Sequence, residues 1–177
     1  MRNKQTGPTP YEKLQQAILD YGDAAMENLL RCRSFANAVI AGLPDYLQCP
    51  RDMVVAVPAE GPFDPRHEYG EAAFSFHGQQ VIRLEPVVFG ICVIVGNAED
   101  SGSLWLRTGV RVEITGDTFD VYVANQPIVR IDKDYTGKLE PVWEVIFKEL
   151  LSVFKQELAD FNDDRFEHGI GFIAKPE

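Results

Sequence analysis

The strongest constraint on this chain is a change of hydrophobic period that happens twice. From Met53 to Ile131 apolar residues tend to recur at every second position, while on either side they recur every three or four. A period of two marks a strand with one buried face, and a period near 3.6 marks an amphipathic helix. The order is therefore helix, sheet, helix. Short polar links between the strands predict an antiparallel meander. The expected fold class is α+β: a long N-terminal helix, a six-stranded antiparallel meander and a long C-terminal helix packed on the sheet. One domain is expected over residues 1–177, with 1–9 as a flexible N-terminus.

The first helix opens with Thr9, Pro10 and Glu12. Threonine three residues before glutamate is a capping box, and proline in the first turn lacks only an N–H that has no partner there. Its apolar seam runs Tyr11, Leu14, Ile18, Tyr21, Ala25, Cys32, Phe35 and Val39, with Asn28 as a polar break. Gly22 is a point where the helix can kink, and Gly42–Leu43–Pro44 reads as a left-handed cap followed by a stop. Unbroken from Pro10 to Ala41, such a helix spans about 48 Å, longer than a domain of this size is wide. It must bend at Gly22 or offer part of its seam to a partner. The C-terminal helix, from about Pro141 to Phe161, carries a wide stripe that includes Val142, Trp143, Ile146, Phe147, Leu150, Leu151, Phe154, Leu158 and Phe161, which predicts burial across the sheet.

The strands read as Met53–Val57, Ala72–Phe76, Val81–Val95, Leu104–Thr115, Phe119–Val123 and Pro127–Ile131, and Gly169–Ala174 is a candidate short edge strand. Alternation sorts Trp105, Arg107, Arg111 and Glu113 onto one face, with Leu104, Leu106, Val110, Val112 and Ile114 on the other. Both faces of the third strand are apolar beyond Val87, so both need a cover. Helices on opposite faces or a homodimer would supply it. The element order resembles the helix-grip fold of lipid- and hormone-binding proteins. That resemblance implies an apolar ligand held between the sheet and the C-terminal helix, which requires a cavity on the order of 300 Å³.

Charge narrows the partners. The formal net charge is −10, and the acid lies mostly in residues 45–102 and 132–177, within folded surface. Such a chain is a poor match for nucleic acid or for an anionic membrane surface, and no apolar run is long enough to span a bilayer. The three cysteines are widely spaced, with no C-x-x-C pair, and no apolar stretch follows Arg2 and Lys4 as a secretory leader would need. A reducing, cytoplasmic location is expected, with no cofactor.

Two features are candidates for binding. Arg83, Arg107, Arg111 and Arg130 all fall in expected strands, where guanidinium forks can grip carboxylate or phosphate. The opposing reading is a solvated face on which Glu85, Glu113 and Asp120 are cross-strand partners. The loop from Pro58 to Gly70 is long for a compact domain and ends in His67 and Glu68, with His77 nearby. No H-E-x-x-H, G-x-S-x-G or phosphate-loop pattern accompanies them. The reading that results is a small acidic interaction protein, an adaptor, escort or inhibitor that binds a protein partner and acts as a homodimer. A binder of a small apolar ligand and an enzyme of unrecognised type are the alternatives.

Overall fold

The computed structural model describes residues 7–96, 102–162 and 170–173. Helix α1 (Pro10–Leu47) is followed by strands β1 (Val54–Val57), β2 (Val87–Gly96), β3 (Ser103–Thr115), β4 (Thr118–Val123) and β5 (Val129–Asp132), then helix α2 (Glu140–Asn162) and strand β6 (Ile170–Ile173). The sheet order is β1-β2-β3-β4-β5, every pair antiparallel, and β6 pairs with β3 off that path. The architecture is α+β, and the meander has five strands rather than the expected six. Both helices lie on one face of the sheet. The core between them is built from Cys32, Phe35, Val39 and Leu43 of α1, the odd-numbered residues Phe89, Ile91 and Val93 of β2, the even-numbered residues Leu106, Val110 and Val112 of β3, and Val142, Ile146 and Leu150 of α2.

The expected strand at 72–76 is replaced by a single 3-10 turn (Gly70–Ala73) and one bridge, Phe74 to Phe89. Ser75 closes that bridge from both sides: its N–H donates to Val88 O at 2.8 Å and its hydroxyl accepts from Val88 N–H at 2.9 Å. The alternating phenylalanines pack another way. Phe74 and Phe76 stack on each other at 5.3 Å, and Phe74 packs against Phe89. The third expected strand also loses its first half. Pro86 cannot donate to a ladder, and the backbone before it turns to α1 instead. Leu84 N–H donates to the Tyr21 hydroxyl at 3.0 Å, and Glu85 O accepts from Asn28 Nδ2 at 2.9 Å. Arg83 therefore sits on an irregular, exposed segment and not on the sheet.

The capping box of α1 is present: Thr9 N–H donates to Glu12 Oε2 at 2.6 Å, and Glu12 N–H donates to Thr9 Oγ1 at 3.2 Å. The helix runs through Gly22 and also through Pro44, so the expected stop after Gly42 is wrong. Gly42 has a packing role instead, because a Cβ there would occupy the space of the Trp143 ring. Trp143 Nε1 donates to Val39 O at 2.9 Å and locks α2 to α1 at this point. Leu43 and Pro44 are buried, and that burial outweighs the loss of one helical hydrogen bond, a case of packing overriding local propensity. The left-handed cap comes at Gln48 (φ 56°), and Cys49 N–H bonds Pro44 O at 3.0 Å.

Burial of α2 is narrower than its stripe. Val142, Ile146 and Leu150 are buried, whereas Phe147, Leu151, Phe154 and Leu158 are exposed. The strand expected near 169–174 is β6.

Candidate functional site

Three of the four expected arginines share the sheet face turned away from the helices. Arg107 and Arg111 share this face of β3 with Trp105 and Glu113, and Arg130 of β5 stands in register with Asp120 of β4, which itself faces Glu113. Each guanidinium is already engaged. Arg107 Nη1 donates to Gly61 O at 2.8 Å and Pro58 O at 3.3 Å, and the group lies 4.4 Å over the Phe63 ring. Arg111 lies 4.1 Å over the ring of Tyr122, whose hydroxyl donates to Glu113 Oε1 at 2.6 Å; that bond raises the Tyr122 pKa. Arg130 forks onto Asp120, with Nε at 2.9 Å and Nη2 at 3.4 Å from its two oxygens. Asp120 is buried although its partner is open to water, and the hydrogen bond holds the Arg130 pKa up. An incoming anion would meet carboxylates interleaved with the cations. Arg83 stands apart from the other three.

The connection from Pro58 to Gly70 is the cover that the second apolar face of β2 needs. It crosses the outer face at two glycines. A Cβ on Gly90 would lie 2.7 Å from Val57 O and 2.8 Å from Pro58 O, and one on Gly109 would touch Ala59. Phe63 then meets Trp105 edge-on at 4.7 Å. Arg107 thus clamps the loop with two hydrogen bonds and a stacked ring. Burial lowers the pKa of Arg107, but arginine stays charged across the accessible pH range. Neither the anion-gripping reading nor the solvated-face reading with carboxylate partners anticipates this clamp on Arg107. The sequence signal for it is the pair Gly90 and Gly109, which face each other on adjacent strands and leave room for a crossing backbone.

Farther along the loop, Asp64 accepts the Arg66 N–H at 2.9 Å, and the Asp64 N–H donates to the Tyr69 hydroxyl at 2.8 Å. The first of these bonds lowers the Asp64 pKa. His67 packs its ring edge-on to Tyr69 at 4.6 Å. His67, Glu68, Arg66 and Arg51 line an open groove of about 520 Å³ against β1. His77 lies on the exposed turn after Phe76 and does not line that groove. Among the described residues no three His, Cys, Asp or Glu side chains gather in a way that would hold a metal ion.

Burial pushes the thiols of Cys32 and Cys92 up to about 11 and about 12; Glu113 adds to the rise at Cys32, and Arg107 opposes it at Cys92. Both stay protonated at neutral pH and behave as small apolar groups. Cys49, raised by burial as well, borders an apolar cleft of about 380 Å³ between the Gly96 end of the sheet and α2, lined by Val93, Leu106, Phe147 and Phe154 among others. No helix among the described residues is long and apolar enough to cross a membrane.

Among the described residues the largest apolar exposure belongs to α1. Residues 10–24 are all exposed, and Tyr11, Leu14, Ile18 and Tyr21 are 70, 64, 70 and 48% accessible. The same seam continues into the buried Ala25, Cys32, Phe35 and Val39. The first part of α1 is an arm that carries the core-facing stripe beyond the sheet. At its root a second cleft, of about 560 Å³, lies between α1, Leu84–Pro86 and the end of β3.

Compared with known proteins, the chain matches no family model, no curated protein and no solved structure. No solved structure bears out the resemblance to the helix-grip fold.

The clamp makes a testable statement. Arg107→Lys keeps the charge but loses the two-pronged geometry and the stacking plane. We expect about 2 kcal/mol of lost stability, the scale of hydrogen bonds to a charged group, and faster proteolysis confined to residues 58–70. Cleavage of that loop at an unchanged rate would contradict the clamp.

Proposed function

We propose that the protein is a non-enzymatic interaction module that works in a reducing, cytoplasmic setting and engages a protein partner through the arm of α1. The observation that carries this reading is the seam of Tyr11, Leu14, Ile18 and Tyr21, exposed along the whole arm. Contiguous apolar surface of this kind marks interaction sites on soluble proteins. The engaged arginines support it indirectly, since the competing anion-binding face has its cations already committed to carboxylates, rings and carbonyls. The free, partly or fully buried cysteines fit a reducing compartment. The seam is read as an anchor row inserted into a complementary surface.

Affinity capture with the full chain tests this. A protein species held stoichiometrically by the native chain and lost on Leu14→Glu with Ile18→Glu is the expected result. Identical capture by both chains would contradict the reading.

The apolar cleft beside α2 favours a second reading, a site for a small apolar ligand, because its volume of about 380 Å³ reaches the size such ligands need. Cys49 supplies its one polar side chain among the described residues, so little would orient a bound molecule. A hydrophobic fluorescent probe should bind at one site and be lost on Leu106→Trp. Binding unaffected by that substitution would remove this reading.

A further inference from the structure

We infer that the partner of the arm is a second copy of this chain, paired antiparallel with the first about a two-fold axis near Gln16. The inference rests on the interaction reading above and names its occupant. Along α1 the seam keeps the alternating three-and-four spacing of a coiled coil. Tyr11, Ile18, Ala25, Cys32 and Val39 hold one core position, and Leu14, Tyr21, Asn28, Phe35 and Gly42 hold the other. From Ala25 onward this face is taken up by the chain's own sheet and α2. Before Ala25 no other described residue covers it.

Four observations favour self-pairing. First, the positions that flank the bare seam are Gln15, Ala17, Gly22 and Ala24, none charged and three of them small. The charges of the arm, Glu12, Lys13, Asp20 and Asp23, fall on its other sides. Two chains of net charge −10 repel, and this neutral strip is where they can approach. Second, the seam matches itself in reverse. Reading one arm against the other about residue 16 sets Tyr11 opposite Tyr21 and Leu14 opposite Ile18, with both pairs repeated by symmetry, as a two-fold contact requires. Third, the root of the arm receives the tip of the other. Leu84, which is 54% exposed, sits there with its N–H on the Tyr21 hydroxyl, next to where the partner's Tyr11 would arrive. A parallel pair would instead direct both bodies to the same end, where each seam is already occupied. Fourth, the area is on the required scale. The exposed surface of Tyr11, Leu14, Ile18, Tyr21 and Leu84 amounts to on the order of 600 Å² per copy, so covering it in full removes about 1,200 Å², the lower bound for a specific interface. The last described element lies elsewhere: β6 pairs with Ser103–Leu106, at the sheet end opposite the arm.

Light scattering on the purified full chain, coupled to size-exclusion chromatography, tests the pairing. A mass twice the 19.9 kDa of one chain is expected, with Ile18→Glu returning the monomer at unchanged helical content. A monomer at all concentrations up to about 100 µM would overturn self-pairing. Arm-dependent capture of another protein would in that case still stand, so the two readings fail separately. A dimer that survives Ile18→Glu would also overturn it, by placing the contact elsewhere. Spin labels on Gln16→Cys and Asp23→Cys, each in a Cys49→Ser background, read the direction. Both positions lie on the side of the arm away from the partner, so antiparallel pairing separates the residue-16 labels by the width of the helix pair alone and adds an axial offset of about 20 Å at residue 23. Equal separations at both sites would overturn the antiparallel register.

Discussion

The structure depends on one mismatch of length: α1 is longer than the sheet it packs on. At 38 residues the helix spans about 57 Å, and its apolar seam runs most of that distance. The sheet and α2 take up the seam from Ala25 to Leu43, where Phe35 stacks on Phe119 at 4.4 Å and Trp143 closes over Gly42. That contact fixes the position of α1, and with it the direction in which the rest of the helix leaves the body. A helix of about fifteen residues is marginal alone in water. Here the arm is nucleated by the buried half behind it and by the capping box at its tip.

The opposite sheet face solves the complementary problem. β2 is apolar on both sides, yet helices cover only one. The cover on the other side comes from the chain between β1 and β2, folded back across Gly90 and Gly109 and fastened by Arg107. Beyond that cover the face is a charge-compensated surface, where Asp120, Arg130, Glu113, Tyr122 and Arg111 satisfy one another. The protein is thus closed on its outer face and open along the arm. In the pairing proposed above, the acidic body keeps molecules apart and the neutral apolar strip of the arm is where they meet.

Much of the helical layer was legible in the sequence, because the evidence for it is local. Thr9–Pro10–Glu12 announces the helix start, and the spacing of the seam announces a helix longer than the domain is wide, though not where it ends. Alternation on β3 placed Arg107 and Arg111 together for the same reason. The readings that failed depended on distant partners. Gly42 and Pro44 look like a stop until Trp143, far along the chain, makes the glycine a packing site and burial carries the helix past the proline. Val81–Glu85 looks like strand until Tyr21 and Asn28 of α1 capture its backbone groups. Ala72–Phe76 alternates like a strand, but its phenylalanines plug the core beside a single bridge. Arg107 reads as a surface cation because nothing near it in sequence reveals that Pro58 and Gly61 place their carbonyl oxygens above it.

The central claim is that the first half of α1 is a formed helix whose apolar face is completed only by another molecule. Amide hydrogen exchange along α1, followed as protein concentration is raised, tests it most directly. The account predicts strong, concentration-independent protection from Cys32 to Leu43 and protection from Leu14 to Ala24 that grows with concentration. Protection of the arm that is complete at the lowest concentration, or absent at every concentration, would contradict it.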